Sequence, residues 1–120
     1  MQITINTDHN IEGGEALATH VSGIVAHALN YLRDHVTSVE VHLSESNKHG
    51  AQSEKTCVIE ARLEHHQPLA ATHHATSLHQ SVEGAARKLM RLLDSALGRV
   101  HDQKTRSEAF LVPDSSGPES

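Results

Sequence analysis

Four cations, Arg87, Lys88, Arg91 and Arg99, fall within one stretch that reads as an amphipathic helix from Ser77 to Val100. Leu78, Val82, Ala85, Leu89, Leu92, Ala96 and Val100 recur there at steps of three and four, the spacing of a continuous apolar stripe. Arg87 and Arg91 lie opposite that stripe and Lys88 and Arg99 on one flank, so the cations share a side. Guanidinium and ammonium groups at helical spacing are suited to phosphate contact. Twelve histidines are the other reactive stock, and protonating all of them would move the formal charge from −5 to +7. His65-His66 and His73-His74 flank Gln67-Pro68, so that across a hairpin turned there one imidazole from each doublet would face its counterpart and hold Zn²⁺ or Ni²⁺. The reading expected for these four is nevertheless the simpler one, polar hairpin residues without a metal.

Charge is distributed unevenly. Residues 1–76 carry four cations against nine anions, 77–106 six against three, and 107–120 none against three. A net −5 speaks against a general polyanion binder and leaves the helix from Ser77 as the basic segment. The single cysteine, Cys57, excludes an internal disulfide and, alternating with Ile59 and Ala61, reads as a core thiol. With 2% aromatic residues the core must be aliphatic. No apolar run reaches the roughly 18 residues of a membrane span, and a cytoplasmic protein without membrane contact is expected. No nucleophile elbow, glycine-rich phosphate loop or His-Glu metal helix occurs, so neither an enzyme nor a cofactor is expected.

The elements that must position the cations follow from periodicity. Gln2 to Thr7 alternates, with Ile3 and Ile5 on one face, as a half-buried strand does. A helix is expected over about residues 15–34, its stripe made by Leu17, Val21, Ile24, Ala28 and Leu32. Ser38 to Glu45 and Glu54 to Glu64 alternate again, joined by a polar loop at 46–53, and Leu69 to Ala75 pairs back as a fourth strand. Ser77 with Gln80 makes a capping box for the last helix. The fold class is α+β, β-α-β-β-β-α, with two helices on one face of a four-stranded mixed sheet. A right-handed crossover makes the first strand pair parallel. The open face then carries Glu40, His42, Glu60, Arg62, Thr72 and His74. Residues 1–106 form the domain and 107–120 a disordered acidic tail, in which Phe110, Leu111 and Val112 are an apolar patch.

This order of elements, the Glu15-Ala16-Leu17 helix opening and the run Ser81-Val82-Glu83-Gly84-Ala85-Ala86-Arg87-Lys88-Leu89-Met90-Arg91 resemble the ribosome hibernation promoting factor and ribosome-associated inhibitor A family over about residues 1–104. The resemblance implies a fold like a double-stranded-RNA-binding domain. It also implies binding to the small ribosomal subunit and its 16S rRNA, which shuts translation down in stress or stationary phase. Lys88 and Arg91 fall on family positions that contact ribosomal RNA, and His27 stands where the family usually has a cation. Leu92, Ser95 and Leu97 replace further basic or polar residues of the family's second helix, and Ala18 and Ile24 replace cations of its first. Two other readings stand beside ribosome binding. One is an interaction module of the same fold, with a homodimer formed through the exposed sheet. The other is a histidine-based metal or pH sensor.

Overall fold

The computed structural model describes residues 1–8, 11, 14–46 and 53–109, with side chains as far as Gly98. Residues 47–52 of the expected polar loop, the tail from residue 110 with its apolar patch, and the Arg99 side chain lie outside what is described.

The chain forms β1 (Gln2–Thr7), α1 (Glu15–Leu29) with a 3-10 turn at Asn30–Leu32, β2 (Val36–Ser46), β3 (Glu54–Leu63), β4 (His66–Ala75) and α2 (Leu78–Ala109). The sheet runs β1-β2-β3-β4. β1 pairs with β2 in parallel and the later pairs are antiparallel, as expected for one crossover followed by two hairpins. Both helices pack on one face, and the alternation sorts the strands. Val39, Val41 and Leu43 of β2 and Cys57, Ile59, Ala61 and Leu63 of β3 are buried beneath them. Burial pushes the Cys57 thiol up to about 12, so it stays protonated and inert.

Each helix is turned slightly from the phase its sequence suggests. In α1 the buried residues are Val21, Val25 and Leu29, with Leu17, Ile24 and Ala28 only partly buried. In α2 they are Val82, Ala85, Ala86, Leu89, Leu93 and Ala96, while Leu92 is 42% exposed. From Leu89, steps of three and of four both reach a leucine, and packing takes the step of four. A buried leucine contributes about 1.5–3 kcal/mol by leaving water, so the choice between these neighbours fixes the rotation of α2.

The β3–β4 hairpin also departs from expectation. Its turn is at Glu64 and His65, the latter at φ 61, and not at Gln67-Pro68. Leu63 pairs with His66 and Ala61 with Leu69, so Gln67 and Pro68 together face Arg62 as a bulge. Proline, lacking an N–H, is tolerated in a bulge on an edge strand. The shift separates the two histidine doublets. His65 and His66 stand at one end of β4, and His73 and His74, opposite Cys57 and Thr56, at the other, seven residues or roughly 23 Å away. They therefore do not face one another across the ladder, and the geometry on which a metal at His65, His66, His73 and His74 depended is not formed.

Candidate nucleic-acid interface

α2 starts where its cap dictates. The Gln80 N–H donates to Ser77 Oγ at 3.1 Å. The return half of the capping box is replaced, because the side-chain Oε1 of Gln80 accepts from Thr76 Oγ1 at 3.5 Å. Ser81, fully buried, donates to Leu78 O at 2.8 Å and so carries no polar cost. The helix is 32 residues, about 48 Å, long and is seated on β4 through Gly84. A Cβ on Gly84 would overlap the His73 ring, so glycine is what lets the imidazole lie against the helix backbone. His73 thus points toward α2 and its Nδ1 is buried without a partner among the described residues, while His74 points to the open face and meets Thr56 Oγ1 at 2.8 Å.

With the stripe fixed inward, Arg87, Lys88 and Arg91 are all exposed. At about 100° per residue, Arg91 points straight outward, Arg87 leans toward α1 and Lys88 toward β4. Lys88 Nζ donates to the edge-strand carbonyl of Thr72 at 2.9 Å. Arg87 and Arg91 form no ion pair or hydrogen bond with a described residue, so their guanidinium forks are free for an anion. The backbone of Arg99 continues α2 two turns beyond Arg91.

Arg87 also lines a groove of about 610 Å³ between α1 and α2. Ile24, Ala28, Ala86 and Met90 form its apolar part, and Thr19, His20, His27 and Glu83 stand round it. The structure therefore brings His27, exposed on α1, to the same groove as Arg87. Each end of the groove is bolted by a contact that sequence spacing did not disclose. At one end His20 Nε2 lies 3.1 Å from His79 Nδ1, the rings stacked at 5.3 Å and 28°. His79 Nε2 in turn lies 3.1 Å from Glu83 Oε2, one turn along α2. At the other end the Tyr31 hydroxyl donates to Asp94 Oδ1 at 2.7 Å. Partial burial and that bond push the Tyr31 hydroxyl up to about 12.

The open sheet face is of different character. Glu40 and Glu60 face each other in register, Glu40 reaching His42 and Glu60 reaching Arg62, each at 3.8 Å. Its cation is thereby shared with a carboxylate, where the α2 ridge leaves Arg87 and Arg91 unshared. Among the described residues no group of three or more His, Cys, Asp or Glu side chains is placed to hold a metal ion, and no helix is long and apolar enough to cross a membrane.

Residues 3–101 match the family model described as sigma 54 modulation protein / S30EA ribosomal protein. The chain belongs to the sigma 54 modulation / S30EA ribosomal protein family. No curated protein matches it in sequence. The N-terminal domain of Protein Y from Thermus thermophilus superposes with a TM-score of 0.65 at 19% identity, over 79% of this chain and 98% of that one. A ribosomal subunit interface protein from Coxiella burnetii gives 0.67 at 16% identity, over 82% of this chain and 99% of that one. These likenesses establish the shared fold of the S30EA family chain, and its site rests on its own residues.

Proposed function

We propose that this S30EA family protein binds the small ribosomal subunit through the outer ridge of α2 and, by occupying it, inhibits translation in the cytoplasm during stress or stationary phase. The observation that carries the reading is the ridge itself. Arg87 and Arg91 are exposed and unpaired among the described residues, with Lys88 beside them, on a chain whose formal charge is otherwise strongly negative. Phosphate oxygens of 16S rRNA are the ligand that such a row recognises, each contact gaining from released counterions. His27, on the groove that Arg87 lines, adds a cation to the same surface when protonated. The carboxylates facing each other on the open sheet make that face a poor RNA surface. Membership of the family and the naming of a structural neighbour as a ribosomal subunit interface protein support the choice of partner.

Co-sedimentation with isolated small subunits tests it. The wild type is expected in the subunit fraction at low salt, and a Lys88→Glu, Arg91→Glu double variant that keeps its circular dichroism is expected to stay in the supernatant. Both side chains are exposed, so the fold should survive. A folded double variant that sediments like the wild type would overturn the assignment.

A further inference from the structure

We propose that His20 and His79 form a two-point site for a nitrogen-seeking divalent metal ion, Zn²⁺ or a first-row neighbour, that ties α1 to α2. The two residues are 59 positions apart in sequence and on different helices, yet helix packing leaves His20 Nε2 and His79 Nδ1 only 3.1 Å apart. Metal–imidazole bonds of about 2.0–2.1 Å place two nitrogens at such a distance when they subtend roughly a right angle at the ion. That is an ordinary angle between neighbouring ligands. In the absence of metal the same two atoms share a proton, and the ion takes its place. Both rings are exposed, so they are free to turn from this head-on arrangement until their lone pairs converge on one ion, and water completes the coordination.

A second observation points the same way. The other nitrogen of His79, Nε2, lies 3.1 Å from Glu83 Oε2. A carboxylate holding the far N–H of an imidazole fixes the tautomer in which the near nitrogen is free to bind metal. With two protein donors the site exchanges its metal readily, unlike a closed four-ligand structural centre. Imidazole donors set the order of preference, Cu²⁺ ahead of Ni²⁺ and Zn²⁺, and Mn²⁺ and Mg²⁺ far behind.

The experiment is a thermal melt and a calorimetric titration of the full chain with ZnCl₂, with MgCl₂ as the control salt. One ion per chain is expected to bind and to raise the melting midpoint by about 4 °C or more at saturating metal. His20→Ala and His79→Ala should each abolish the shift, Glu83→Gln should weaken binding about 10-fold, and His74→Ala should leave it unchanged. Because both helices stay packed through Leu29, Leu89 and Leu93, the variants should fold, and circular dichroism checks this. No shift with Zn²⁺, a shift equally strong with Mg²⁺, or a Zn²⁺ shift that survives in both His20→Ala and His79→Ala would overturn the proposal, the last locating the metal on other surface histidines.

Discussion

Replacing Gly84 with alanine puts a methyl group where the His73 ring now lies. Two effects of opposite sign compete. Alanine in a helix interior is worth about 1 kcal/mol over glycine, whereas forcing a side chain into filled space costs about 1–3 kcal/mol. The overlap reaches Cγ of His73 as well as the outer ring atoms, so the ring cannot escape by a small tilt and must swing about χ1. The cost should therefore lie in the upper half of that range, leaving Gly84→Ala destabilised by about 1–2 kcal/mol. In a His73→Ala background the obstruction is gone, and the same substitution should stabilise by about 1 kcal/mol. Urea denaturation of the four proteins, compared at equal m-value, gives the coupling between the sites, expected at about 2–3 kcal/mol. Gly84→Ala that stabilises the wild type, or has the same effect in both backgrounds, would refute the packing described for α2 on β4.

Three further outcomes follow from the same geometry. Leu93→Ala should cost about 2–5 kcal/mol and Leu92→Ala less than about 1 kcal/mol by urea denaturation, since only the former is buried; equal costs would mean that α2 is rotated. Tyr31 is the one tyrosine in a chain without tryptophan, so its ionisation can be followed by ultraviolet absorbance. Its folded value is raised to about 12, so the stability it lends is fully present below the ordinary value of 10.0 and is lost as pH climbs through about 12. Asp94→Ala should bring the midpoint down toward 10.0, and an unmoved midpoint would count against the bond. Arg91→Ala should weaken small-subunit binding more than Lys88→Ala, because Lys88 must first leave the Thr72 carbonyl; the reverse order in filter binding would reassign the contact.

The element order, the pairing of the strands and the exposed position of Arg87, Lys88 and Arg91 were legible in the sequence because each rests on local periodicity and on a crossover of known hand. The phase of the helices was not. Leu92 and Leu93 are adjacent apolar residues, both compatible with Leu89 and Ala96, and only contact with the sheet separates them. Pro68 misled for a related reason, since a proline between two alternating runs marks either a turn or a bulge on an edge strand. The left-handed turn was carried instead by His65, a residue type that only sometimes adopts that conformation. His20 with His79 and Tyr31 with Asp94 join positions 59 and 63 apart and are products of helix packing, which no spacing rule reaches.

Whether the α2 ridge meets RNA phosphates is decided by the salt dependence of affinity for isolated small subunits. If Arg87, Lys88 and Arg91 each neutralise one phosphate, the logarithm of the binding constant should fall linearly with the logarithm of salt concentration. Their combined share of the slope should be about −2 to −3. The Arg87→Ala, Lys88→Ala, Arg91→Ala variant should lose that share. A wild-type slope near zero, or a slope the triple variant leaves unchanged, would mean that the α2 ridge does not meet phosphate.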